Sequence, residues 1–241
     1  MAESSIEWTE MTWNPSTGCT KISIGCANCY AEKMAIRLQH MGVEKYMKGF
    51  DVACHYEELN TPYNWKKPRM IFVNSMSDLF HEDIPLSFIQ NVFRVMNECS
   101  RHTFQVLTKR AEVLERYSAF LNWTPNIWMG VTVEHSNVTH RINKLRKIPA
   151  AIRFLSIEPM LSAMPSLDLL GINWVIVGGE SGYNARPIRE SWVIDIQRQC
   201  ENKSIPFFFK QWGGRNKKAT GNQIDGEVFH QLPVCNGAQV I

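Results

Sequence analysis

The sequence predicts an α/β fold: a single (β/α) barrel, partial or complete and TIM-like, with about six or seven parallel strands. Two patterns carry that expectation. Short apolar runs recur along the chain without strict in–out alternation, as strands covered on both faces require. Helical patterns separate them, which is the alternation that gives parallel strands and right-handed crossovers. A doubly wound sheet would satisfy the same pattern.

The elements follow in order. Residues 6–13 read as a first strand. The later strand candidates are 70–74, 104–107, 127–131, 153–157, 174–177 and 206–209, each rich in branched and aromatic residues. Helices are expected over 28–41, 85–99, 111–120, 136–147 and 191–202. The second begins at Pro85 and sets Phe88, Ile89, Val92, Phe93 and Met96 at helical spacing. Residues 42–68 are irregular and read as an insertion. The barrel domain is expected to span residues 1–216, followed by an appendage over 217–241 that is either weakly ordered or a hairpin, since Asn222–Gly226 contains a turn signal.

Composition bounds the function classes. The chain has 241 residues, long enough to bury a core without disulfide staples. Its net charge is +3, a mildly basic balance that permits a nucleic-acid partner without demanding one. The sequence contains no apolar run long enough to span a membrane and its first residues do not form a secretory signal, so a reducing cytoplasm and no membrane partner are expected.

In that compartment the cysteines are informative. Cys54, Cys99, Cys200 and Cys235 are scattered, whereas Cys19, Cys26 and Cys29 share one segment at C-x6-C-x2-C spacing. Three thiolates suit a metal centre. Structural zinc wants a fourth ligand, and only His40, Cys54 and His55 offer distant candidates. A [4Fe–4S] cluster held by three cysteines would keep one iron open. Zinc, an iron–sulfur cluster and free or disulfide-bonded cysteines are the three readings.

Polar clusters follow the strand candidates. They place Asp78, Lys109, Glu134, Glu158, Glu180 and Lys210 where an α/β fold binds ligands, outside the carboxyl ends of the strands. Glu134, Glu158, Glu180 and Lys109 are candidate catalytic groups. Asp78, Glu134 and Glu158 could instead hold Mg2+ or act as acid and base. Gly178 and Gly179 would let backbone amides approach a ligand. Arg110, Arg186 and Lys210 could hold a phosphate or carboxylate, and Trp212, Trp13 and Tyr183 could stack on a base. His102, His135 and His140 show no ligand spacing and read as structural.

The C-x-x-C-Tyr run after a first strand, with a further cysteine upstream, resembles the radical S-adenosylmethionine enzymes. Their usual C-x3-C-x2-C spacing is three residues shorter in its first gap. More closely, the chain is similar to a bacterial and phage-borne family known as three-Cys-motif proteins. The matching stretches are Thr12–Pro15, the cysteine run, Asn74–Phe80, Leu107–Arg110, Gly130–Glu134, Ser156–Pro159, Val177–Gly182, Ala185–Pro187 and Phe209–Gly213. The resemblance implies a [4Fe–4S] cluster on Cys19, Cys26 and Cys29, with S-adenosylmethionine as cofactor. It places Asn74, Ser75, Ser77 and Asp78 at the cofactor end, because radical enzymes bind the methionine moiety after the second strand. A nucleic acid or nucleotide is the substrate class implied, in modification or repair, with a partner protein encoded nearby. The rival readings are a metal-dependent hydrolase or nuclease with structural zinc, and a binding module for nucleic acid or a partner protein.

Overall fold

In a computed structural model the structure describes residue 4 and residues 6–234; Cys235 lies outside the described residues. Seven strands form the main sheet: β1 (Met11–Trp13), β2 (Met70–Val73), β3 (Thr103–Thr108), β4 (Ile127–Thr132), β5 (Ile152–Ile157), β6 (Trp174–Gly178) and β7 (Phe207–Gln211). Their order in the sheet is their order in the chain. A doubly wound sheet reverses its strand order part-way. The sequential order is barrel-type winding, and the fold class is α/β with seven parallel strands. The connecting helices are α1 (Tyr30–His40), α2 (Leu86–Glu98), α3 (Ala111–Tyr117), α4 (His140–Arg146) and α5 (Glu190–Glu201).

The chain divides into two compact units, Met1–Met129 with Lys147–Ala151, and Gly130–Arg146 with Ile152–Ile241. In the first unit β1 pairs parallel with β2 (Met11 opposite Ile71) and β2 with β3 (Met70 opposite Thr103). All four residues of β2 are buried, as the apolar run Met-Ile-Phe-Val requires of a strand covered on both faces. Helix α2 buries Phe88, Ile89, Val92, Phe93, Val95 and Met96 on one side. Its apolar spacing therefore dictated both the helix and the face it covers.

The first strand is shorter than its sequence suggests. Residues 6–10 turn instead of extending, with the Thr9 amide donating to the Ile6 carbonyl at 3.2 Å. The Trp8 ring meets Phe72 edge-on at 4.7 Å, and only the end of the segment bonds β2, the Glu10 amide donating to the Met70 carbonyl at 3.1 Å. Trp13 is buried at 1% exposure and donates its indole N–H to the Glu58 carbonyl at 2.8 Å. That removes it as a base-stacking surface: it is a core side chain. Residues 42–68 contain a two-residue strand, Ala53–Cys54, that pairs antiparallel with Ser16–Thr17, and a 3-10 helix over Tyr56–Asn64.

In the second unit β5 pairs parallel with β6 and β6 with β7, with a register irregularity between Val177 and Gly178. The expected helix over 136–147 is split. A 3-10 turn over Ser136–Val138 comes first, because the His135 ring accepts the Asn137 amide at 3.2 Å and caps that turn. The hairpin in the tail is present. Gln223–Ile224 pairs with Glu227–Val228 around Asp225 and Gly226, both at positive φ, the geometry of a tight two-residue turn. Beyond it, the Phe209 amide donates to the Phe229 carbonyl and the Gln231 amide to the Phe207 carbonyl, while the His230 ring stacks on Phe208. These contacts cover the free edge of β7. Among the described residues no helix is long and apolar enough to cross a membrane.

Candidate functional site

The cysteine segment hangs from the C-terminal ends of β1 and β2. Gly18 adopts φ +81°, and a Cβ there would stand 2.0 Å from the Asp51 carbonyl oxygen. Glycine is required by both the conformation and the space. Its amide donates to the Met76 carbonyl at 3.1 Å, and the Cys19 amide donates to the Phe50 carbonyl at 3.2 Å. Cys26 closes a 3-10 turn over Ile24–Cys26, and Cys29 stands at the N-cap of α1. All three thiols are half-buried.

One of the three thiols has a cation against it, and the charge of Lys109 acts on a second. The buried Arg110 donates Nη1–H to Cys19 Sγ at 3.3 Å. Burial first, then the Asp78 charge, nevertheless push the free Cys19 thiol up to about 11 against the pull of Arg110. Cys26 moves the other way. Burial would raise it, but a hydrogen bond from the Ile22 backbone, the charge of Lys109 and the Ser23 hydroxyl together bring it below its ordinary value.

Asp78 joins the ends of β2 and β3. One carboxylate oxygen accepts from the Thr108 hydroxyl at 2.7 Å and the Phe80 amide at 3.0 Å. The other accepts from the Lys109 amide at 3.0 Å and Arg110 Nη1 at 3.3 Å. Arg110 also reaches Glu82 through Nε at 2.7 Å and Thr20 through Nη2, at 3.1 Å to its carbonyl and 2.9 Å to its hydroxyl. His81 Nδ1 accepts the Asp83 amide at 3.1 Å, so its Nε2–H donates to the Thr20 hydroxyl at 2.8 Å.

The remaining residues after β2 bond the segment that follows β1. Asn74 sits at φ +62°, a conformation that Asn tolerates, and bonds Ser16 through both ends of its amide. Ser77 donates to the Ser16 carbonyl at 3.0 Å, and Ser75 donates to Asn14 Oδ1 at 3.2 Å.

The second unit carries three acid–base pairs on its strand ends. Glu134, fully buried, accepts from Arg141 Nη1 at 2.8 Å. Glu158 pairs with Lys210 at 3.1 Å. Glu180 accepts both the backbone amide and Nε of Arg186 at 2.9 Å. Gly178 faces Glu158, since a Cβ there would lie 2.7 Å from Glu158 Oε1. Gly179 packs against backbone, where a Cβ would meet the Trp212 carbonyl at 2.0 Å. Trp212 stands edge-on to Phe209 at 4.6 Å and donates its indole N–H to the Gln223 carbonyl at 2.8 Å. Tyr183 is exposed, with the Arg215 guanidinium 4.7 Å above its ring.

The family model described as "Protein of unknown function (DUF5131)" matches residues 3–233. The chain belongs to the DUF5131 family. No curated protein matches it. A solved structure described as "Spore photoproduct lyase complexed with dinucleoside spore photoproduct" is similar at a TM-score of 0.48 and 10% identity, covering 82% of this chain. The DUF5131 chain spans 62% of the length of that structure's chain.

Among the described residues of this DUF5131 chain, no group of three or more His, Cys, Asp or Glu side chains stands at metal-binding spacing. The chemistry of the donor set nonetheless fits a thiophilic centre: three thiols within eleven residues, with Arg110 on Cys19 and Lys109 acting on Cys26. Sequence reasoning singled out Asp78, Lys109 and Arg110 but missed Thr20, His81, Glu82 and Asn14. The signal for Asn14 was at hand in Thr12-Trp-Asn-Pro15. His81-Glu82-Asp83 directly follows Asp78-Leu-Phe80, but its inward turn was not legible.

Proposed function

We propose that this chain is an iron–sulfur enzyme of the radical S-adenosylmethionine kind that acts on a nucleic acid or nucleotide. Cys19, Cys26 and Cys29 would hold a [4Fe–4S] cluster, as the resemblance to radical S-adenosylmethionine enzymes implies. The observation that carries this reading is the buried Arg110 guanidinium hydrogen-bonded to Cys19 Sγ, beside two further thiols on the same segment. Thiolates are the ligand form, and a neighbouring cation offsets the charge that metal binding fixes on them. Bound there, such a cluster would supply one electron to S-adenosylmethionine.

The chain's own residues have definite tasks in this reading. Gly18 and Cys19 dock the ligand segment on the Met76 and Phe50 carbonyls. Asp78 holds the ends of β2 and β3 together beneath it. The nucleotide substrate class rests on the positive net charge and on exposed groups of the second unit, Tyr183 with Arg215 above its ring. A cytoplasmic location fits a cluster of reduced thiols.

Anaerobic reconstitution with iron and sulfide tests the reading. The expected product is a brown protein with about four irons per chain whose reduced electron paramagnetic resonance signal changes on adding S-adenosylmethionine. A colourless chain that takes up zinc alone overturns it.

A further inference from the structure

We infer that Arg110 is a positioning residue for the metal-binding segment: it holds Cys19 Sγ from the protein side and tunes any centre bound there. The inference rests on the reading of Cys19 as a metal ligand. Its basis is the wiring of one guanidinium. Arg110 is 3% exposed and leaves the end of β3 directly before α3. Nη1 spans Cys19 Sγ and Asp78 Oδ2, both at 3.3 Å. Nη2 grips the carbonyl and hydroxyl of the next residue, Thr20, and Nε is held by Glu82. A planar fork of fixed donors can make all these bonds at once; a lysine ammonium cannot.

The network is closed on its far side. His81, 2% exposed, donates Nε2–H to the Thr20 hydroxyl while its Nδ1 accepts the Asp83 amide. Asp78 is anchored independently by Thr108, Phe80 and the Lys109 amide. Cys19 is thereby tied to two strand ends more than fifty residues away in sequence. A substrate-binding role for Arg110, by contrast, would require it to leave Asp78, Glu82, Thr20 and Cys19 together. Groups that orient a ligand and hydrogen-bond its sulfur govern both metal affinity and reduction potential.

The test compares wild type with Arg110→Gln, each reconstituted anaerobically with iron and sulfide. Iron affinity is measured by chelator competition, and the midpoint potential by a redox titration followed by electron paramagnetic resonance. The variant is expected to hold iron about 10- to 100-fold more weakly. Its potential should move negative, because a donor that stabilises the more negative reduced state is gone. A folded variant with wild-type affinity and potential overturns the inference.

Should Arg110→Gln fail to fold, Arg110→Lys decides: it keeps the charge and loses the fork that spans Cys19, Asp78, Thr20 and Glu82. Iron binding weaker than wild type supports the inference, and wild-type affinity and potential overturn it. A wild type that binds zinc alone fails the iron–sulfur reading, and the zinc affinity of Arg110→Gln then decides the inference separately. A wild type that binds neither metal overturns both.

Discussion

Gly130 and Phe154 interlock on neighbouring strands of the second unit: a Cβ built at Gly130 would stand 2.4 Å from Phe154 Cε2. The ring is fully buried and lies against Trp174 at 5.6 Å. It has no space into which to retreat. Gly130→Ala is expected to destabilise the fold by about 1–3 kcal/mol, the usual cost of overpacking a core. Adding Phe154→Leu should return part of that loss, since the two changes act on one contact. Urea unfolding of the single and double variants measures it; additive losses would refute the interlock.

Gly18→Ala probes the docking of the cysteine segment. It places a Cβ against the Asp51 carbonyl and forces a side chain into positive φ. Strain of this kind costs on the order of 1–3 kcal/mol, and the segment can escape it by releasing its bonds to Met76 and Phe50. The variant should therefore lose metal uptake and gain protease cleavage between residues 18 and 30. Unaltered cleavage and metal content would show that the segment is held by other means.

Arg186→Ala removes two side-chain contacts from Glu180, whose carboxylate is 6% exposed. The backbone amide of residue 186 stays as a donor, which moderates the penalty. A loss of about 2 kcal/mol is expected, in the range for hydrogen bonds to charged groups. Thermal unfolding against Arg186→Lys, which keeps the charge but not the fork, should rank the two variants with Lys intermediate.

Stability should fall on the acid side through His102. Burial holds its imidazole below the ordinary value of 6.5, against a hydrogen bond to the Pro62 carbonyl that raises it. A depressed folded value means that the unfolded chain takes the proton first as pH drops. The contribution is complete above 6.5 and is lost as pH falls from there toward the folded value. His102→Gln should flatten this part of the stability profile. Unfolding free energies at about pH 7.5 and about pH 5.5 give the comparison, and an unchanged slope would exclude His102 as the source.

The strands and helices were legible because their signals are local. Val-Ile-Phe runs and the i, i+3, i+4 spacing of Phe88, Ile89, Val92, Phe93 and Met96 sit within a dozen residues. So does the cysteine segment, and so does the Asp225-Gly226 turn. The first strand was misjudged over 6–10 because Trp8 answers to Phe72, a residue beyond the reach of local periodicity.

By itself, then, the sequence determined the α/β class, the order of elements and the three clustered thiols. The tertiary structure alone decided which charges meet. It buried Arg110 and turned it onto Cys19, Asp78 and Thr20, set Glu180 against Arg186, and sank Trp13 into the core. The reason is physical. Apolar periodicity is written along the chain, whereas an ion pair depends on where strand ends separated by tens of residues bring two side chains, and on the burial that makes their pairing obligatory.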